Sequence, residues 1–145
     1  MSTPAAAPAR PPAALPVPAS LQTAAQAAVA QKEPLVVMVT LAGCAFCEVV
    51  RNHYLGPMLQ RGEIHAVQID MLDRRTPLLD LQGRSTTGYD QARAWRVRVA
   101  PTVLFLDERG RELAERLEGI GVADFYGPYL DERLRTARTQ LGARR

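Results

Sequence analysis

The chain has 145 residues, 47% of them hydrophobic and 23% charged, with a formal net charge of +3. That is enough apolar material for one core and, without internal repeats, for one domain. The small positive balance is interspersed with acidic residues, shows no basic stripe with interleaved aromatics, and ends in a short Arg144-Arg145 pair, so nucleic acid is not an expected partner.

Residues 1–19 are rich in proline and alanine and hold few large apolar side chains. Such a stretch buries too little surface to offset its ordering entropy, which predicts a flexible N-terminal tail over 1–19 and a domain over 20–145. Ser20 is placed to cap a helix through Gln31, which ends before Pro34. Leu35 to Leu41 is a near-continuous apolar run, the pattern of a central strand covered on both faces. A helix is expected from Cys44 to about Gln60, bent near Gly56-Pro57, where proline removes a backbone donor.

Ile64 to Asp70 alternates apolar and polar residues and reads as a strand. Between Met71 and Thr87 the pattern is weakest, with a short hairpin or edge strand over Leu78–Arg84 turning at Gly83. A helix from Gly88 or Tyr89 to Arg96 carries Ala92 and Trp95 on one side, with Trp95 read as core packing. Thr102–Asp107 and Arg111–Leu117 form a predicted hairpin around Glu108-Arg109-Gly110, charged outward with Leu113 and Leu117 inward. The last helix, about Val122 to Leu141, sets Phe125, Tyr129, Leu130 and Leu134 on an apolar face, with Gly127-Pro128 as a point of break or restart. Together the elements make an α/β fold, a central mixed β-sheet flanked by helices.

Cys44 and Cys47 are the only cysteines and form Cys44-Ala45-Phe46-Cys47 where the central strand gives way to a helix. Only the thiolate is nucleophilic, and unpaired N–H groups at a helix N-terminus favour it. Cys44 is therefore the expected nucleophile, and Cys47, one turn on and more shielded, the resolving thiol. Phe46 is expected at the rim, contacting an apolar partner or shielding Cys47. His53 and His65 sit at poor spacing from the cysteines, so no metal site is expected. No dinucleotide-binding glycine motif is present, so no cofactor is expected and electrons must come from another thiol protein.

A second signal is Val99-Ala100-Pro101-Thr102, where a proline able to take the cis form opens a strand. With the cysteine pair it makes the chain resemble the thioredoxin superfamily from about Leu35 to Leu134, and the thioredoxin-like proteins of bacterial cell envelopes more than cytosolic thioredoxin. That resemblance implies a thioredoxin-like fold in which Ala100 and Pro101 face the cysteines and bind substrate. It also implies protein disulfide or dithiol substrates and a thiol electron-donor protein upstream. Reduction is the expected direction. The chain departs from thioredoxin at Gly43, where a tryptophan is usual, at Ala45-Phe46, where Gly-Pro is usual, and at Met38, where a buried aspartate would stand.

No positive start followed by an apolar run marks a secretory signal, which leaves the cytoplasm as an alternative location. The resemblance implies the periplasm or cell envelope, with the N-terminal tail tethering the domain to an anchor absent from this chain. Nothing resembles a dimerisation helix, so a monomer is expected. The rival readings are a non-catalytic peptide-binding module of the same fold and a metal-binding or metallochaperone protein.

Overall fold

The computed structural model describes residues 14–121 and 123–144. The first helix, α1 (Leu21–Ala30), starts at Ser20, whose Oγ accepts the Thr23 N–H at 3.1 Å, and buries Leu21, Ala25 and Ala28. Strand β1 (Leu35–Thr40) is buried along its whole length. It lies between β2 (His65–Asp70), which runs parallel to it, and β5 (Thr102–Leu106), which runs antiparallel. A short outer strand, β6 (Leu117–Glu118), completes a mixed four-stranded sheet in the order β2-β1-β5-β6.

The continuous apolar run of β1 is explained by two cores. Val36 and Met38 point into one, with Cys47, Val50, Phe105, Tyr126, Leu130 and Leu134. Leu35, Val37 and Val39 point into the other, with Leu21, Ala25, Ala28, Leu104 and Leu106. Successive strand residues face opposite sides, so a central strand must be apolar at every position, and each fully buried Val or Leu contributes about 1.5–3 kcal/mol.

Between β2 and β5 lie the hairpin β3 (Leu78–Leu79) and β4 (Ser85–Thr86), and helix α4 (Gly88–Ala94). Gly83 takes the left-handed conformation expected of it, φ +78°, and Asp80 Oδ1 accepts the N–H groups of Gln82 and Arg84 at 2.9 Å each. Trp95, just past α4, is partly buried against the α1-side core. Among the described residues no helix is long and apolar enough to cross a membrane.

The structure departs from the sequence expectations in four places. The tail expected over 1–19 includes residues 1–13, which lie outside the described residues, but Leu15 is 2% exposed in the core. The carbonyls of Leu15, Pro16 and Ala19 accept from Gln68 Nε2, Gln68 N and Leu79 N at 2.8, 2.9 and 3.0 Å. The packed chain thus begins ahead of Ser20, because one leucine with neighbouring carbonyls in reach of unpaired donors suffices to hold an otherwise proline-rich segment.

The helix after Cys44 continues to Gln60, but through three pieces: α2 (Ala45–Val50), a π turn at Arg51–Leu55, and α3 (Gly56–Gln60). The Gly56 N–H bonds five residues back to the Arg51 carbonyl, and Pro57, which has no N–H to give, follows in the first turn of α3.

The segment expected as a strand over Arg111–Leu117 pairs with β5 only at Leu117–Glu118 and at the isolated Leu106–Glu112 bridge. Leu113 and Ala114 are adjacent and both pack into the same core, which the alternation of a strand does not allow; Leu117 also turns inward as expected.

The terminal helix α5 (Tyr126–Ala143) follows a 3₁₀ turn at Ala123–Phe125 and buries Tyr126, Leu130, Leu134, Ala137 and Leu141. Phe125 and Tyr129, expected on that face, are exposed and pack on each other, ring centroids 6.4 Å apart. Gly127-Pro128 falls in the first turn, where N–H groups lack helical partners anyway, so it begins the helix instead of breaking it. Val122, the expected start, lies outside the described residues.

Candidate functional site

Strand β1 ends at Thr40, and the chain must turn sharply to enter α2. Gly43 makes this turn at φ +74°, a conformation that strains any residue with a Cβ. Cys44 follows as the N-cap of α2, its backbone extended and its Sγ accepting the Cys47 N–H at 3.1 Å. A sulfur in this position receives an N–H that no helical carbonyl can use, which favours the anion once the thiol is free.

Cys44 and Cys47 are joined as a disulfide, with Cα atoms 5.2 Å apart. Their surroundings differ: Cys44 is partly exposed, whereas Cys47 is 1% exposed and belongs to the core beneath α2. Phe46, between them, is 58% exposed and so stands on the surface beside the pair.

On the opposite side of Cys44 comes the loop into β5. The Ala100–Pro101 peptide bond is cis, and the Ala100 carbonyl oxygen lies 3.7 Å from Cys44 Sγ. Thr102 Oγ1 donates to the Val99 carbonyl at 2.6 Å and the Gly119 N–H donates to the Pro101 carbonyl at 2.7 Å, fixing the loop from both sides. The fold thus brings Cys44, Cys47, Phe46, Ala100 and Pro101 to one end of the sheet. His53 is exposed on the π turn and His65 opens β2; among the described residues no three metal-ligating side chains cluster.

Beneath Cys47 the core is apolar. Met38, where the sequence resemblance implies a carboxylate in thioredoxin, is fully buried there, and the buried Tyr126 hydroxyl has no hydrogen-bond partner among the described residues. Burial, and then the nearby Tyr54 ring at 5.2 Å, push the Tyr126 phenol well above its ordinary range.

One group at the site was not singled out from the sequence. Arg51 lies seven residues after Cys44 and is half-buried; its Nε donates to Gln68 Oε1 and its Nη2 to Thr40 Oγ1, both at 2.9 Å. Cys44, Glu48, Arg51, Thr40, Gln68 and Asp70 surround a cavity of about 290 Å³, which Val17 helps to wall. The signal was legible as spacing, since positions four and seven after Cys44 return to its face of the helix. The β1–β2 register, which pairs Met38 with Gln68 and Thr40 with Asp70, was not.

Comparison with known proteins places this geometry. Residues 21–132 match the model of the thioredoxin-like domain family. Among solved structures, thioredoxin O2 from Arabidopsis thaliana in the oxidized state superposes with a TM-score of 0.54 at 17% identity, covering 84% of this chain and 95% of that one. A poplar thioredoxin h gives 0.52 at 12% identity, covering 78% and 93%. A DsbH oxidoreductase gives 0.50 at 17% identity, covering 99% and 96%. At such identities these likenesses show the fold. No curated protein sequence matches the chain.

Proposed function

The chain belongs to the thioredoxin-like domain family and is a thiol-disulfide oxidoreductase, and from that premise we propose that it reduces protein disulfides, with Cys44 attacking and Cys47 resolving. The observation that carries this reading is the asymmetry of the pair: a partly exposed sulfur at a helix N-cap beside a buried one. With the pair reduced, the Cys44 thiolate attacks one sulfur of a substrate disulfide, forming a mixed disulfide and releasing the first substrate thiolate. Cys47 then attacks the Cys44 sulfur, the second substrate thiolate leaves, and the protein holds the Cys44–Cys47 disulfide while the substrate has gained two electrons.

The substrate strand lies beside Ala100 and Pro101, with Phe46 as an apolar contact at the rim. The supporting observation is that this loop closes one side of Cys44. With Met38 in place of a carboxylate, the proton of Cys47 passes to the leaving thiolate or to water. A thiol protein upstream re-reduces the pair. In this reading the enzyme is a monomer of the bacterial cell envelope, its folded domain beginning near Leu15 behind a tethering N-terminal segment. The location rests on the sequence resemblance carried by Leu41–Cys47, the long stretch between Asp70 and the helix before Pro101, and Leu117–Gly121, and cell fractionation tests it.

The decisive experiment is substrate trapping with Cys47→Ser, which should accumulate a mixed disulfide on Cys44 when offered an oxidised protein. Partners bound equally well after both cysteines become serine would instead establish the non-catalytic module. The direction is set by the potential of the pair: about −270 mV fits a reductase, and about −120 to −180 mV would make the protein an oxidant or isomerase.

A further inference from the structure

We propose that the cavity shared by Cys44, Glu48 and Arg51 binds a small disulfide whose halves each carry an ammonium and a carboxylate, and that Cys44 exchanges with it. This rests on the reading of Cys44 as the attacking thiol, and adds a low-molecular-weight substrate class to the protein substrates proposed above. The cavity draws no residue from the Pro101 loop, so it lies apart from the proposed strand-binding side while keeping the same sulfur.

The volume, about 290 Å³, is at the lower end for ligand sites and suits an amino-acid-sized group. Its polar lining carries both signs of charge without internal neutralisation. A guanidinium has five N–H donors, and Arg51 donates to two neutral acceptors and forms no ion pair among the described residues. Because those acceptors sit on the paired strands β1 and β2, the guanidinium is held against the sheet. That leaves a fixed cation facing the cavity, suited to a carboxylate.

The anionic side is equally open. Glu48 is exposed, in the first turn of α2, and forms no ion pair among the described residues. Asp70 uses Oδ1 to accept the Leu72 N–H at 2.8 Å. A ligand with one sign of charge would satisfy one wall and oppose the other, whereas a zwitterion matches both. Glu48 and Arg51 follow Cys44 by four and seven residues, so sulfur, anion and cation share one helix face. A ligand with its ammonium and carboxylate on one carbon, a short arm from its own sulfur, presents the same three groups.

The exchange balances as follows. The Cys44 thiolate attacks one sulfur of the small disulfide, a Cys44-to-ligand S–S bond forms, the ligand's own S–S bond breaks, and one half leaves as thiolate. Cys47 then displaces the second half from Cys44 and gives up its proton to solvent. The ligand disulfide becomes two thiols by taking two electrons from the reduced pair, which ends as a disulfide.

The test uses Cys47→Ser, which stops the reaction at the mixed disulfide, and follows Cys44 by mass. The probes are cystine, cystamine, which lacks the carboxylates, 3,3′-dithiodipropionate, which lacks the ammonium groups, and bis(2-hydroxyethyl) disulfide, which lacks both. Each rate is divided by that of the same probe with a free small thiol to remove intrinsic reactivity. Cystine is expected to lead cystamine and 3,3′-dithiodipropionate by about tenfold each, the effect of one charge-assisted contact, and bis(2-hydroxyethyl) disulfide by about a hundredfold.

In the same background, Arg51→Gln should erase the lead over cystamine and Glu48→Gln the lead over dithiodipropionate, each leaving the other lead in place. Equal normalised rates for all four probes would overturn the proposal while leaving Cys44 as nucleophile. Failure of Cys44 to react with any probe faster than a free thiol would overturn the nucleophile reading itself. Since Arg51 also ties β1 to β2, the probe series on the protein with native Arg51 decides the matter if Arg51→Gln does not fold.

Discussion

The two ends of strand β5 treat their polar groups in opposite ways. At the far end Asp107 is 1% exposed, its Oδ1 accepts the N–H groups of Arg109 and Arg111 at 2.9 Å each, and Arg144 Nη1 approaches its Oδ2 at 3.5 Å. Both oxygens are engaged, and the result is a knot that fixes the 107–110 turn and the end of α5. At the near end Cys44 Sγ receives one backbone N–H, Arg51 meets only neutral acceptors, and Glu48 forms no ion pair among the described residues. A buried charge must be fully satisfied to be tolerated, whereas groups that act on other molecules need some capacity left open.

Exchanging the roles of the two ends breaks this contrast most visibly. On the proposed function, Cys44→Ser should lower disulfide-exchange turnover by at least about a thousandfold, because the sulfur proposed to attack is gone. Urea unfolding of this variant against the reduced native protein should show a difference within about 0.5 kcal/mol. Asp107→Ala should do the reverse, losing about 3 kcal/mol through the orphaned Arg109 and Arg111 N–H groups while Arg144 keeps its pairing with Glu108, with turnover per folded molecule unchanged. If Asp107→Ala instead abolished turnover in a stable protein, the two ends would not be separable.

Gly88→Ala sharpens the comparison at the cavity. A Cβ there would overlap the Asp70 carbonyl oxygen, and backbone on both sides leaves no flexible atom to yield. A loss of about 1–3 kcal/mol is expected in urea unfolding. The smallest effect should come from Tyr126→Phe, which removes a buried hydroxyl without a partner and should be neutral or stabilising by up to about 1 kcal/mol near neutral pH. Its signature lies in alkali. The folded phenol holds its proton above its ordinary range, so the unfolded state ionises first, and native stability falls as pH rises past about 10. Tyr126→Phe should flatten that alkaline decline in unfolding measured from pH 8 to 11.

The parts of the molecule legible in the sequence are those set by local chemistry. The all-apolar Leu35–Val39 run required burial on both faces, Ser20 is a helix cap by virtue of its hydroxyl, and Cys44 and Cys47 advertise their spacing. The face of α5 was misread because Phe125 and Tyr129 are as apolar as the residues that pack; only the position of the helix against Tyr54 turns Tyr126 inward and leaves them out. Leu15 was hidden for the opposite reason: a single leucine among prolines has no period, and its place depends on a Gln68 that is 53 residues away. Arg51 belongs to the same class, since its partners Thr40 and Gln68 come together only through strand pairing. Long-range register is not written in any window of sequence short enough to read by pattern.

Strand β2 is the outer member of its side of the sheet, and an outer strand with free N–H groups is a template on which a second molecule can build. Here the Gln68 N–H is already taken by the Pro16 carbonyl. The segment that takes it includes Pro16 and Pro18, neither of which has an N–H to offer outward. Leu15, sunk in the core, keeps that segment from peeling away. At Gln68, therefore, the margin is already occupied, and the strand offers no open N–H there for edge-to-edge pairing.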